Sequence, residues 1–176
     1  MKILLLGANG QVGWELQRSL APLGQMKAYD RHALDLGNFE SLRACVRDHR
    51  PEVIVNAAAY TAVEKAESEH DKANRINAEA VAILADEAKQ LNACLIHYST
   101  DYVFDGTKSN AYLETDETNP QSVYAKTKLQ GEEAIKMSEC NHLIFRTSWV
   151  FATRGSNFAK TMIRLAKEQE ELKIVN

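Results

Sequence analysis

KILLLGANGQVGWEL, from Lys2 to Leu16, is the stretch on which the fold of this chain turns. Lys2 to Leu6 is an apolar run with a charged start, Gly7, Gly10 and Gly13 punctuate the next seven residues, and Trp14-Glu15-Leu16 opens a helical pattern. The order is strand, glycine turn, helix. Glycines let the chain turn sharply and bring backbone N–H groups to a bound anion, which then rests on the positive end of the helix dipole. A pyrophosphate suits such a cradle. The spacing is GxxGxxG, not the GxGxxG of the dinucleotide fingerprint, and a plain strand-to-helix turn could use the same residues.

Outward from this unit, strands and helices alternate. The first helix is expected over roughly Gln11 to Leu23, with Gly24 as its stop, and a short second strand over Lys27 to Tyr29. Asn38 to Arg50 reads as a helix closed by Pro51, and Val53 to Ala59 as a near-continuous apolar strand of the kind buried on both faces of a parallel sheet. One long helix is expected from Glu64 to Leu91, with Ile76, Ala80, Leu84 and Ala88 on its inner face. A fourth strand follows at Cys94 to Ser99. A polar loop from Asp105 to Pro120 leads to a helix over Gln121 to Met137, a fifth strand over Leu143 to Thr147 and a helix marked by Phe158, Met162 and Leu165. Leu172 to Val175 begins a sixth strand. The alternation implies an α/β fold, a Rossmann-like doubly wound parallel sheet with helices on both faces, whose ligands bind outside the C-terminal strand ends.

The bulk numbers agree with one globular domain. The chain has 176 residues, 45% hydrophobic and 26% charged, enough to build a single core without disulfides or metals. A net charge of -3 gives no general attraction to nucleic acid. Cys45, Cys94 and Cys140 are odd in number and far apart, which disfavours a disulfide framework and a zinc site. The apolar run at the N-terminus is too short for a signal peptide or a membrane span, so a cytoplasmic protein without membrane association is expected.

Several residues on the ligand edge of the sheet carry chemistry. Asp30 ends the second strand, where a carboxylate accepts hydrogen bonds from the adenosine ribose, while Arg31 beside it could pair with the 2′-phosphate of NADP. NADH and NADPH both remain open, and so does a solvated turn. Tyr124 and Lys128 are one helical turn apart, so the ammonium is expected to lower the tyrosine pKa and make it a usable acid and base. Thr100, followed by Asp101, ends the fourth strand as a hydroxyl near any ligand there, or as an ordinary turn. Trp149, past the fifth strand, offers an apolar wall for a sugar or base, or fills the core.

Taken together, Gly7 to Gly13, Asp30, the Ala57 to Ala59 run, Ser99-Thr100 and Tyr124-xxx-Lys128 resemble the extended short-chain dehydrogenase/reductases, whose glycine motif has the same spacing. GANGQVGWEL, VNAAAYTAVEKAE, IHYSTDYVFDG, VYAKTKLQGE and FRTSWVF are similar to the dTDP-4-dehydrorhamnose reductase family, over essentially the whole chain. The resemblance implies reduction of the 4-keto group of dTDP-4-dehydro-L-rhamnose by NADH or NADPH, in dTDP-rhamnose biosynthesis. It implies Tyr124, Lys128 and Thr100 as catalytic residues, with Lys128 also on the nicotinamide ribose. Gly7, Gly10, Gln11, Val12 and Gly13 would meet the pyrophosphate, Asp30 the adenosine ribose, and Asp35 and Leu36 the adenine. Ala59, Tyr60, Thr61 and Tyr98 would line the rest of the cofactor path, and Thr100, Asp101 and Trp149 would touch the dTDP-sugar. Some family members bind Mg2+ through a glutamate matching Glu15, at a dimer contact; a first-turn glutamate is explained equally by the helix dipole, and no metal is expected here. Residues 1–176 would form the NAD(P)-binding domain of a longer protein, with the C-terminal substrate domain outside this chain and room for a homodimer of the whole. A sugar-nucleotide epimerase and a non-catalytic dinucleotide-binding regulatory subunit are the alternatives.

Overall fold

The computed structural model describes residues 1–169 and 171. Its centre is a parallel sheet of five strands in the order β2-β1-β3-β4-β5, formed by Lys2–Leu6 (β1), Gln25–Tyr29 (β2), Val53–Asn56 (β3), Cys94–Thr100 (β4) and Asn141–Thr147 (β5). The order reverses between β1 and β3, so the glycine turn after β1 opens at the topological switch point. The expected sixth strand, Leu172 to Val175, lies outside the described residues.

The strand β1 shows why the sheet forms. Ile3, Leu4, Leu5 and Leu6 are all buried, on both faces alternately. Leu4 and Leu6 join Ile54, Leu95, Leu42, Val46 and Leu84 beneath the helices Phe39–His49 (α2) and Ala80–Leu91 (α5). Ile3, Leu5 and Val55 face the other way, against Leu16 and Leu20 of Gln11–Leu20 (α1). Each such burial stabilises by ~2 kcal/mol, whereas exposed pairs such as Lys72–Glu69 and Arg164–Glu168 contribute ~0–1. The sheet core therefore decides stability.

Local signals fix the helix ends. Asn38 caps α2 by accepting from Ser41 N at 3.1 Å, and Arg50 ends it with φ 46° before Pro51. The expected first helix stops at Leu20, because Pro22 belongs to a short 3-10 turn at Ala21–Leu23. The helix over Val123–Ser138 begins later than Asn119-Pro120 suggested, because the Ser122 side chain accepts from Ala125 N at 3.2 Å and caps it. Between β4 and this helix the polar loop is tied to Asp105, whose carboxylate accepts from Thr107 N, Tyr112 OH and Asn119 Nδ2, each at 3.0 Å. A last helix, Phe158–Glu168, buries none of its residues.

The long helix expected over Glu64 to Leu91 is broken. Val63–Ala66 (α3) and His70–Asn74 (α4) are short, a π-helical turn occupies Arg75–Glu79, and only Ala80–Leu91 (α5) is regular. The next helices are α6 (Val123–Ser138) and α7 (Phe158–Glu168). The π turn aims Asn77 inward: its Oδ1 accepts from Tyr60 N at 2.9 Å, and its Nδ2 donates to Tyr60 O at 3.1 Å and to Thr127 Oγ1 at 3.2 Å. Gly131 makes room for this, since a Cβ there would lie 2.3 Å from Asn77 O. The turn thus fixes the loop after β3 against α6, as π-bulges often do near functional sites. The strand itself ends at Asn56, leaving Ala57 to Ala59 as loop.

Candidate active site

A cleft of about 810 Å³ opens at the C-terminal ends of β1, β3 and β4. Gly7, Gly10, Gln11 and Val12 line one side, and Asp30, Asp35 and Leu36 lie beyond β2. Ala59, Tyr60 and Thr61 follow β3, Tyr98, Thr100 and Asp101 come from the end of β4, Tyr124 and Lys128 project from α6, and Trp149 closes the far end. Gly13 alone of the sequence candidates does not line the cleft. It is buried against Gly7, where its missing side chain lets α1 approach β1.

The glycine turn has the character of an anion cradle. Gly7 adopts φ 84°, and a Cβ on it would come within 2.7 Å of the Ala57 and Ala58 backbone. Gly7 N and Ala8 N both donate to Tyr29 O, at 2.9 and 3.0 Å, which ties the turn to β2. The helices α2, α6 and α7 begin with side-chain caps, but α1 begins at Gly10 with none. First-turn N–H groups lack intrahelical acceptors, and here Gln11 and Val12 turn toward the cleft. Across from them, Asp30 Oδ1 accepts from His32 N at 3.0 Å and Ala33 N at 2.9 Å, and Oδ2 is held by Asn9. Glu15 pairs with Arg18 at 2.8 Å.

Tyr124 is half-buried with its ring edge-on to Tyr102, 6.1 Å between centroids. Lys128, only 1% exposed, donates to Tyr98 O at 2.6 Å and lies 3.1 Å from His97 Nε2. Here the expectation that Lys128 lowers the Tyr124 pKa is corrected. Burial pushes the phenol up, a Thr100 hydrogen bond opposes this, and the Asp101 charge adds to the rise. Lys128 is itself the perturbed group, brought down from the ordinary 10.5 to about 8 by burial, against the pull of Glu132. Thr100 Oγ1 also accepts from Tyr102 N and donates to Asp101 Oδ1, each at 3.2 Å, so it both caps a turn and reaches the phenol.

Burial of Lys128 has a measurable cost. Below about pH 8 the lysine is charged whether folded or unfolded, and the full penalty, ~3 kcal/mol, weakens the fold. Between about 8 and 10.5 the unfolded chain holds more protons, so stability rises with pH as the penalty fades. Lys128→Met removes the penalty. Its stability relative to the parent, from urea melts, should fall by roughly 2–3 kcal/mol between pH 7 and pH 10; a pH-independent difference would contradict the assignment.

Sequence reasoning missed Asn9, Asn56, Asn77 and His97. Asn56 and His97 are fully buried and adjacent across β3 and β4, which only the strand register reveals. Glu132, also buried, is held by Arg146 through Nε at 3.0 Å and Nη2 at 2.6 Å.

A sequence model of the family described as RmlD substrate binding domain matches residues 1–176. The chain belongs to this family. It is 57% identical over 175 residues to the dTDP-4-dehydrorhamnose reductase of Burkholderia thailandensis, covering 99% of this chain and 59% of that protein. The reductase of the same name from Escherichia coli K12 is 56% identical over 180 residues, covering 100% of this chain and 60% of the relative. The chain thus spans about 60% of the length of these curated relatives. Among solved RmlD-type structures, a dTDP-4-dehydrorhamnose reductase from Clostridium acetobutylicum superposes with a TM-score of 0.95 at 43% identity, over 99% of this chain and 62% of the other. One from Bacillus anthracis, in complex with NADP, gives 0.92 at 39% identity, over 97% and 61%. With the parallel sheet of this chain and its superposition on these structures, the Rossmann-like reading of the sequence holds.

Proposed function

We propose that this chain is the cofactor-binding part of an NAD(P)H-dependent dTDP-4-dehydrorhamnose reductase, with its remaining substrate contacts on residues beyond 176. The observation that carries the reading is the convergence of Thr100, Tyr124 and Lys128 on the cleft that the uncapped α1 also faces. The cofactor fits the residues present. Gly7 and Gly10 leave the cradle clear of side chains, Gln11 and Val12 offer N–H groups to a pyrophosphate, and Asp30 offers carboxylate oxygens to a ribose. A bound dihydronicotinamide would supply the hydride.

The chain's own groups supply the proton and the placement. Burial keeps the Tyr124 phenol protonated at neutral pH, so it can give its proton to the carbonyl oxygen as negative charge develops there. Thr100 lies beside the phenol, and its hydroxyl, turned from Asp101 Oδ1, would donate to the same oxygen. Lys128 lies one helical turn along and would hold the nicotinamide ribose. The ketone gains one hydride and one proton and becomes a secondary alcohol. Reduced cofactor and nucleotide-linked sugar are cytoplasmic pools, which is where this reading puts the enzyme.

Isothermal titration of this chain with NADH and NADPH separately tests the cofactor half. Saturable binding of at least one is expected, and Asp30→Ala should weaken it. Steady-state oxidation of NAD(P)H by dTDP-4-dehydro-L-rhamnose, in a protein carrying this chain at the full length of its relatives, tests the other half. Absence of both binding and turnover would overturn the proposal.

A further inference from the structure

Beneath the cleft is a buried imidazole that the reduction just described does not use. His97 is 0% exposed on β4, level with Asn56 on β3, which is equally buried. On the helix side, α6 runs back antiparallel to β4, and long side chains bridge the two: Lys128 reaches His97, and Glu132 accepts from Ser99.

The hydrogen-bond directions are constrained. Asn56 Oδ1 accepts from Ala58 N at 3.2 Å, so the amide turns its Nδ2 to His97 Nδ1, also at 3.2 Å. Nδ1 is then the acceptor. Burial and the neighbouring Lys128 hold His97 well below the ordinary histidine range, so the ring is neutral and its one proton is on Nε2. That nitrogen faces Lys128 Nζ at 3.1 Å. An ammonium has no lone pair to accept Nε2–H, so this contact is a hydrogen bond only when Lys128 is the neutral amine, which can still donate to Tyr98 O. A protonated Lys128 needs the opposite tautomer, with Nδ1–H and a bare Nε2. Asn56 must then turn its amide over and release Ala58 N–H.

We propose that His97 is a positioning residue whose tautomer couples the protonation of Lys128 to the orientation of Asn56, and through it to the Ala57–Ala58 backbone that walls the cleft. The imidazole carries one proton in both states, so the net change is a single proton taken from solvent and placed on Nζ. Titratable groups on the elements around Lys128 include Tyr98 on β4, Asp101 and Tyr102 on the turn after it, Glu67, which follows α3 and accepts from Val123 N at the start of α6, and Tyr124, Lys126, Glu132, Glu133 and Lys136 on α6 itself. Glu132 is matched by Arg146. None of them touches either ring nitrogen of His97 in the structure, so the switch belongs to Asn56, His97 and Lys128. The coupling rests on the reductase reading only for its purpose.

Nitrogen-15 NMR of the histidine-labelled chain reads the tautomer directly. Above pH 9 the His97 signals should be those of Nε2–H, and on acidification the two ring nitrogens should exchange roles without the ring becoming charged. The midpoint should lie near 8 and follow the Lys128 carbon-13 ε signal. Asn56→Asp, which can only accept from Nδ1–H, should hold the second tautomer at every pH and raise the Lys128 midpoint. One unchanged His97 tautomer from pH 6 to pH 10 while Lys128 titrates would overturn the proposal, and needs no variant. In the full-length reductase, His97→Gln should move the basic limb of the kcat profile by about one pH unit, with KM for NAD(P)H changed less than about twofold. If no reductase activity is found at all, the functional reading fails while the NMR result still decides the coupling.

Discussion

Tyr124→Phe should lower the rate of keto-sugar reduction by about 10²–10⁴-fold while leaving NAD(P)H affinity within about twofold, when measured in a protein of the relatives' full length. The substitution deletes one hydroxyl and keeps the ring that packs edge-on against Tyr102. Nothing in the glycine cradle or around Asp30 depends on that hydroxyl, so cofactor titration should be nearly unchanged. What is lost is the proton donor: the phenol is held protonated by burial, and the neighbouring Thr100 hydroxyl is too weak an acid to replace it. Single-turnover rates with bound NADPH separate the two effects. A variant that binds cofactor poorly but reduces substrate at the parent's rate would remove Tyr124 from the proton path.

The strands were readable because β1 and β3 are buried on both faces, and unbroken apolar runs such as ILLL and VIV have few other uses. The candidate site was readable for a related reason. In a doubly wound sheet, every strand end falls on the same edge, so residues scattered from Gly7 to Trp149 meet once the alternation is recognised. What stayed hidden depends on register between distant segments. The Ala-rich stretch from Glu64 to Leu91 has helical periodicity throughout, and nothing local marks the π turn that Gly131, more than fifty residues later, accommodates. His97 reads as one more residue of a strand, because its partners Asn56 and Lys128 come from other elements. Tyr124 and Lys128 were found by spacing, but the direction of each pKa follows from burial, which spacing does not report.

Gly13→Ala should destabilise the chain far more than Gly10→Ala, although both glycines belong to the same motif and only Gly10 lines the cleft. A Cβ on Gly13 would lie 2.1 Å from Gly7 O and 2.7 Å from Gly7 C, both backbone atoms, whereas a Cβ on Gly10 would lie 3.3 Å from Gly7 O. Relief at Gly13 requires α1 to move away from β1 by about an ångström. Gly7 cannot yield instead, because Gly7 N and Ala8 N are bonded to Tyr29 O, Gly10 N bonds back to Gly7 O at 3.0 Å, and the Ala57–Ala58 backbone packs against its other side. Overpacking usually costs 1–3 kcal/mol, and a clash between two backbone segments belongs at the top of that range, ~3 kcal/mol. For a domain of this size that is a drop of roughly 6–12 °C in Tm. The same movement drags the N–H groups of Gln11 and Val12 away from the cradle, so NAD(P)H affinity should fall along with stability, a pairing that Tyr124→Phe does not share. Thermal melts and cofactor titrations of the two alanine variants compare the effects side by side. Equal stability in both would mean that α1 is not seated on β1 through Gly13, and that the close helix–strand contact is not what holds the cradle in place.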